Sequence, residues 1–233
     1  MHRFVALPCL IALAACTRDT ARKPDASPSA ASPSAARTQA LVAPDATLDQ
    51  AAPDSFAITL TTSAGDVELV VRRAWAPKGA DRLHWLASHG FFDGARFFRV
   101  LPGFVAQFGL SGIPAVDKAW DTRTFADDPV THKNKRGAIV FATSGPNSRT
   151  TQLFINLADN VNLDAMGFAP LGEVRRGMEA VDKLYRAYGE GAPYGSGPDQ
   201  MIVKRDGNRY LVAAYPKLDS IVKSMVTPLG GAK

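Results

Sequence analysis

Alternating apolar and polar positions predict a β-rich domain that begins near residue 56. β-branched runs at 56–61 and 67–72, joined by a Ser-Ala-Gly-Asp turn, predict a hairpin. Further short strands are predicted at about 96–101, 104–109, 137–143, 152–157 and 200–204. Many short strands separated by Gly, Pro and Asn turns are typical of closed antiparallel barrels. We therefore predict a mainly β barrel and not a series of βαβ units.

Helical spacing of apolar residues occurs in a few places. One predicted helix begins at Pro77 and stops at Gly90. A second has apolar residues three, four and seven apart, at Met178, Val181, Leu184, Tyr185 and Tyr188. Near the C-terminus a short helix is predicted from Asn208 to Tyr215. Another amphipathic turn or two is predicted from the residues Leu218, Ile221, Val222 and Met225.

Two polar residues, Arg99 and Gln107, interrupt an otherwise apolar stretch. Side chains alternate between the faces of a strand, so Phe97, Arg99 and Leu101 are predicted to share one side. After a Pro-Gly turn, Val105 and Gln107 share one side. The ordinary interpretation is an edge-strand Arg paired with a carboxylate and a Gln that bonds backbone groups. The alternative is a functional site, in which both polar groups are set among aromatic side chains.

Residues 1–15 are predicted to be a targeting segment. A short basic start is followed by an apolar run that is too short to span a bilayer comfortably, and small residues precede Cys16. Leu13-Ala14-Ala15-Cys16 resembles the lipobox of bacterial lipoproteins, in which the signal peptide is removed and the Cys carries the lipid. The alternative is an ordinary secretory signal in which Cys16 has no role. Cys9 would leave with either signal, so the mature chain would contain no disulfide.

The segment 16–54 is rich in Ala, Pro, Ser and Thr and poor in aromatic residues. Such a composition offers too little apolar surface to offset the entropy of ordering. We predict a disordered tether at 16–54, followed by the globular domain with a short helical extension at 55–233. A disordered linker of any other purpose would have the same composition.

Composition and motifs disfavour several classes of function. The four His residues lack the spacing of metal ligands on one helix face, and no P-loop or dinucleotide fingerprint is present. We therefore expect no metal and no cofactor. The net charge of +5 is mild, and the basic knot of Lys133, Lys135 and Arg136 reads as a solvated loop. No nucleic-acid partner is expected. The glycine-rich stretch 189–198 follows a helix, which argues against phosphate binding.

The interrupted apolar stretch has the pattern Phe-x-Arg-x-x-Pro-Gly-Phe-x-x-Gln. It resembles the active-site strand pair of the cyclophilin-type peptidyl-prolyl isomerases. Further motifs of that family occur in the right order, upstream at 61–67, 76–77 and 90–94 and downstream at 141–148, 151–156, 163–164 and 167–168. The likeness covers roughly residues 56–205, and several ordered motifs are more specific than one. It implies a closed antiparallel eight-stranded cyclophilin-like barrel capped by two α-helices.

The resemblance also implies roles for individual residues. Arg99 is implied as the catalytic residue, and Gln107 and Gln152 are implied to orient Arg99 or the peptide. The residues implied to bind the peptide are Phe104, Val105, Thr143, Gln152, Phe154, Leu163 and Phe168. Strand alternation independently places Gln152 and Phe154 on one face, with Leu153 and Ile155 on the other. For the aromatic residues the ordinary alternative is core packing. The chain departs from the family pattern at Val105, Thr143, Asn162, Phe168 and Leu171, and the departure at Asn162 argues against tight cyclosporin binding.

These features predict a peptidyl-prolyl cis-trans isomerase (a rotamase) that acts in protein folding. We expect a monomeric lipoprotein in the bacterial cell envelope, anchored through Cys16 and facing the periplasm. Its partners would be Pro-containing polypeptides, with membrane contact through the lipid anchor only. The alternative is a non-catalytic chaperone that holds Pro-containing segments in the same groove. A purely structural envelope protein would leave the polar and aromatic cluster unexplained.

Overall fold

Antiparallel strands form much of the computed structural model, which describes Met1 and residues 35–229. The strands are β1 (Ser55–Thr62), β2 (Gly65–Arg72), β3 (Arg99–Val100), β4 (Val105–Phe108), β5 (Ala138–Phe141), β6 (Leu153–Asn156), β7 (Pro170–Arg176) and β8 (Ile221–Pro228). The helices are α1 (Ala35–Val42), α2 (Pro77–Ser88), α3 (Pro114–Trp120), α4 (Asn162–Ala165), α5 (Met178–Lys183), α6 (Gln200–Asp206) and α7 (Asn208–Ala214). A 3₁₀ turn spans Ala46–Asp49.

The strands form one curled sheet in the order β3-β4-β6-β5-β7-β2-β1-β8, with every neighbouring pair antiparallel. The predicted hairpin is β1 and β2, and the eight antiparallel strands are confirmed. Among the described residues the two end strands do not form a ladder with each other. The segment before β3 instead bonds to the start of β8, where Phe97 N donates to Asp219 O (3.0 Å) and Ile221 N to Ala95 O (2.8 Å).

Helix α2 packs against the sheet with Leu83 and Leu86 fully buried. It begins at Pro77, as predicted, because proline needs no backbone partner in the first turn. Its next two amides are satisfied by a carboxylate from a distant loop, since Asp128 accepts from Lys78 N (3.1 Å) and Gly79 N (2.8 Å). A negative charge at this end of a helix is favourable. Asp128 therefore ties the 121–137 connection to the helix that covers the core.

The predictions for the C-terminal region were wrong in two places. Residues 200–206 form helix α6 and not a strand, because Asp199 caps the helix by accepting from Met201 N at 2.8 Å. The expected amphipathic turns beyond 218 are strand β8, which pairs along β1. The helix predicted from Met178 ends at Lys183. Helix α7 agrees with the prediction of a short helix from Asn208.

The second half of the expected tether is ordered against the domain. Leu41 of α1 is fully buried, and Trp120 Nε1 donates to its carbonyl at 2.8 Å. Trp85 Nε1 donates to Thr47 Oγ1 at 3.0 Å. Residues 35–54 therefore do not form a tether, because a few well-spaced groups satisfy indole donors that would otherwise be buried without partners. The predicted signal after Met1, Cys16 and the rest of the tether lie outside the described residues.

Candidate active site

A row of side chains crosses four neighbouring strands on the face of the sheet away from the main core. Arg99 of β3 lies opposite Gln107 of β4, which lies opposite Phe154 of β6, which lies opposite Val140 of β5. Their sequence neighbours in the main core are Val100, Ala106, Ile139, Leu153 and Ile155. The alternation of the strands thus separates the core residues from this row, and we call the face that carries the row the groove. This separation agrees with the prediction for Phe154 and Leu153.

The prediction that Phe97 and Arg99 share one side was wrong. Phe97 is in the main core together with Val100, whereas Arg99 lies on the groove face. Strand β3 contains only residues 99 and 100, so the two-residue period does not extend back to Phe97. The segment before β3 instead bends to bond with residues 219–221.

Hydrogen bonds link three polar side chains in series along the groove. Arg99 Nη1 donates to Gln107 Oε1 at 3.1 Å, and Gln107 Nε2 donates to Gln152 Oε1 at 2.9 Å. Each amide has its carbonyl turned to the preceding donor, so Gln152 fixes the orientation of Gln107 and Gln107 fixes that of Arg99. The structure thereby brings together the predicted catalytic residue and the two predicted orienting residues.

Glu190 is a site residue that the sequence did not reveal. Its carboxylate accepts from Arg99 Nε at 2.6 Å and from Arg99 Nη2 at 2.7 Å. The hydrogen bonds from Arg99 hold the pKa of Glu190 below its usual value. The ordinary interpretation of Arg99, a pairing with some carboxylate, is therefore also correct. Nothing in a strand pattern pointed to a partner in the glycine-rich loop.

A cluster of apolar side chains, here named the apolar pocket, packs beside these polar groups. The buried side chains of the pocket are Val105, Ala138, Val140, Phe154 and Leu163, and Phe104, Ala142 and Phe168 pack against them half-buried. Phe154 and Phe168 meet edge to face with ring centres 5.7 Å apart. Arg99 Cζ lies 5.8 Å from the ring centre of Phe104. An apolar ring bound in this pocket would therefore have a fixed guanidinium at its edge.

Three buried asparagines support the walls of the pocket, and sequence reasoning missed them. Asn160 Nδ2 donates to Phe104 O at 2.9 Å and to Asn156 Oδ1 at 2.6 Å. Asn134 Nδ2 donates to Phe168 O at 2.8 Å. Their exposed fractions are 0% for Asn134 and Asn156 and 7% for Asn160. Asn156 stands two residues after Phe154, so strand alternation contained a signal for it.

Thr143, predicted to bind the peptide, lies two residues after the end of β5. Its hydroxyl bonds to Gly145 O and lies 2.9 Å from Ser148 Oγ, so the side chain stabilises its own loop. Its assigned role as a backbone partner of the peptide stays a prediction. Within residues 35–229 no group of His, Cys, Asp and Glu is arranged to hold a metal ion. No helix in the same range is long and apolar enough to cross a membrane.

Comparison with known proteins identifies the family. Residues 57–203 match the family model of the cyclophilin type peptidyl-prolyl cis-trans isomerases. Peptidyl-prolyl cis-trans isomerase A of Dickeya dadantii is 38% identical over 161 residues, which are 66% of this chain and 84% of that protein. A peptidyl-prolyl cis-trans isomerase of Acinetobacter baylyi is 33% identical over 132 residues, covering 54% of this chain and 70% of the relative.

Solved structures show the same fold. A cyclophilin type peptidyl-prolyl cis-trans isomerase of Cryptosporidium parvum superposes with a TM-score of 0.57 at 18% identity, covering 75% of this chain and 99% of that one. A second structure of that protein, determined in the presence of the dipeptide Ala-Pro, gives a TM-score of 0.56 at 18% identity and covers 74% and 99%. With the family model matching more than half of its length, this chain belongs to the cyclophilin-type peptidyl-prolyl cis-trans isomerase family.

Proposed function

We propose that this isomerase accelerates X-Pro rotation in folding envelope or secreted proteins, with Arg99 as the donor to the twisting bond. Peptidyl-prolyl isomerisation is the activity of the family to which the chain belongs. The observation that supports the role of Arg99 is its position: three hydrogen bonds hold its guanidinium at the edge of an apolar pocket.

Rotation about a peptide bond costs roughly 18 to 20 kcal/mol because resonance must be broken. An X-Pro bond left alone takes tens to hundreds of seconds to isomerise. When the bond twists, the nitrogen regains a lone pair that a hydrogen-bond donor can stabilise. A guanidinium already held in place gives up little freedom at that moment, so its bond is stronger in the transition state than in either planar state.

The apolar pocket would hold the proline ring. Phe104, Phe154 and Leu163 belong to one apolar cluster, and Arg99 Cζ lies 5.8 Å from the ring centre of Phe104. A pyrrolidine ring, which is apolar and rigid, suits such surroundings. The Cryptosporidium parvum structure determined with Ala-Pro supports Pro-containing peptides as the ligands of this fold. Gln152 accepts from Gln107 through Oε1, so its Nε2 group would be the donor that meets the peptide backbone.

The second candidate function is a non-catalytic chaperone that holds Pro-containing segments. It needs the apolar pocket but not a fixed guanidinium. The hydrogen-bonded series Arg99–Gln107–Gln152 therefore favours the enzyme over the chaperone. The decisive test is an exchange measurement on an Ala-Pro peptide with residues 17–233, which lack the expected signal and anchor. Binding without faster exchange would favour the chaperone.

Replacing Phe154 by alanine is expected to weaken peptide binding. Phe154 is 5% exposed and packs edge to face on Phe168 within the apolar cluster. Loss of its contact with a proline ring should cost ~1.5 kcal/mol and raise KM about tenfold. Exchange rates measured at several peptide concentrations would separate KM from kcat.

Phe125→Ala is the matched control for this variant. Phe125 also packs edge to face on another ring, with its centre 5.0 Å from that of Phe141, but it packs against the main core. We expect this control to lower the melting temperature and leave KM unchanged. An unchanged KM for Phe154→Ala would remove Phe154 from the binding pocket.

Our proposal for location is that Cys16 carries a lipid anchor and that the domain faces the periplasm. The support is in the sequence: Leu13-Ala14-Ala15-Cys16 resembles a lipobox, and the Ala-, Pro- and Ser-rich stretch that follows would serve as a spacer. We expect the anchored protein to act as a monomer.

Cys16→Ser is expected to release the protein from the membrane fraction. A single acyl chain binds membranes only marginally, so firm attachment depends on the several chains added at a lipoprotein cysteine. Fractionation of cells that express the parent and the variant would show this, with Cys9→Ser as the control because Cys9 lies within the expected signal. A Cys16→Ser protein that stays in the membrane pellet would place the anchor elsewhere.

A further inference from the structure

We infer that Glu190 is a positioning residue for catalysis, which acts by fixing the plane of the Arg99 guanidinium. The inference rests on the proposed role of Arg99 and adds to it the residue that holds Arg99 from the side opposite Gln107. It assigns a function in the reaction to the glycine-rich loop at 189–198, which the sequence alone left without one.

The bonds of the guanidinium leave a defined pair of donors. A guanidinium has five N–H groups in one plane. Glu190 takes one from Nε and one from Nη2, and Gln107 takes one from Nη1. One N–H on Nη1 and one on Nη2 therefore remain for a substrate. Because partners on two sides fix the plane, these two donors keep their direction without a substrate present.

The loop around Glu190 is built to hold this carboxylate in place. Gly191 N donates to Glu190 Oε1 at 2.9 Å, and Gly197 N donates to the backbone oxygen of Glu190 at 2.8 Å. A Cβ atom at Gly195 would overlap that same backbone oxygen. The loop thus folds back on Glu190 closely enough that glycine is needed at 195. A carboxylate held in this way has little rotational freedom to lose when it binds Arg99.

Ionisation and exposure fit this role. The side chains of Arg99 and Glu190 are 20% and 36% exposed, so the pair is partly shielded from water but open on the groove side. The bonds from Arg99 lower the pKa of Glu190, so the carboxylate accepts both bonds at neutral pH. A glutamine at 190 would have the same size but would turn one N–H₂ group toward the guanidinium donors. Glu190→Gln should therefore lose one of the two hydrogen bonds to Arg99 while filling the same space.

The test is a double-mutant cycle on residues 17–233, with kcat and KM measured by exchange on an Ala-Pro peptide. Glu190→Gln is expected to lower kcat about tenfold and to change KM less than about twofold. In the Arg99→Ala background the same change should have no further effect, because no guanidinium is left to position. Glu190→Asp keeps the charge but is one methylene shorter, so its kcat should lie between those of the parent and Glu190→Gln.

Two controls separate positioning from general damage to the fold. Tyr194→Ala alters the same loop at a side chain that is 90% exposed. Asp182→Asn weakens another Arg–carboxylate ion pair, in which Arg136 Nη2 lies 2.8 and 2.6 Å from the two carboxylate oxygens of Asp182. Both controls are expected to keep the kcat of the parent.

Each failure has a separate meaning. Full activity of Glu190→Gln beside an impaired Arg99→Ala would overturn the role of Glu190 and leave that of Arg99 intact. Losses that add in the double variant would show that Glu190 does not act through Arg99, which also overturns the inference. Full activity of Arg99→Ala would overturn the proposed mechanism itself. If Glu190→Gln does not fold, Glu190→Asp carries the same cycle.

Discussion

Replacing Arg99 by alanine is expected to lower kcat about a hundredfold while the pocket continues to bind Pro peptides. The comparison is with the removal of one preorganised donor from an oxyanion hole, which costs about 3 kcal/mol of transition-state stabilisation. When Arg99 is absent, the carboxylate of Glu190 can bind water because its side chain is 36% exposed, and Gln107 keeps its hydrogen bond to Gln152. The fold should therefore persist, which circular dichroism would confirm.

Arg99→Lys is the informative companion of the alanine variant. It keeps the positive charge but replaces a planar fork with an ammonium group on a flexible stem. An ammonium cannot bond Glu190 and Gln107 with the geometry of the guanidinium, so only part of the lost rate should return. Exchange measurements on the two variants and the parent give the comparison. A folded Arg99→Ala protein with full activity would refute the mechanism.

Replacing Leu41 by alanine is expected to destabilise the domain by about 3 kcal/mol, within the range for a fully buried leucine. Leu41 has no exposed surface, and its backbone oxygen accepts from the buried Trp120 indole. The side chain therefore fills space in the main core although it belongs to the segment expected to be a tether. Urea denaturation of residues 17–233 would measure the change. Gln39→Ala, an exposed position on the same helix, is the control and should change stability little.

Two truncations sharpen the same point. A chain that begins at residue 35 should unfold cooperatively near the parent's melting temperature. A chain that begins at residue 55 loses Leu41, the hydroxyl that pairs with Trp85 and the amide of Ala52 that bonds Asp81 at 2.8 Å. We expect it to melt well below the parent or to aggregate. Equal stability of the two fragments would show that residues 35–54 do not stabilise the domain and belong to the tether.

The groove could be predicted from the sequence because it depends on strand alternation and on the pairing of adjacent strands. Strand alternation separates Phe154 from Leu153 wherever the two-residue period holds. The motif with Arg99 and Gln107 spans one hairpin, so its geometry follows from a register of two adjacent strands. Where strand β3 shortens to two residues, the period fails, and the placement of Phe97 failed with it.

The features that the sequence did not reveal depend on distant partners. Glu190 meets Arg99 across 91 positions of the chain, and a single carboxylate in a glycine-rich loop has no periodicity to mark it. Leu41 lies in a segment whose average composition indicates disorder, since one buried side chain scarcely changes an average. The apolar run at 201–203 suits a strand or a helix, and the cap at Asp199 decided in favour of a helix.

The pairing of β1 with β8 sets the order in which a newly made chain can complete its sheet. Phe56 lies opposite Pro228, so the outer edge of β1 gains its partner only after residues 221–228 have been made. Contacts so distant in sequence are slow to form because a long loop must close first. Until β8 has left the ribosome, that edge can pair with other chains. This isomerase is therefore itself exposed to misassembly until β8 pairs with β1.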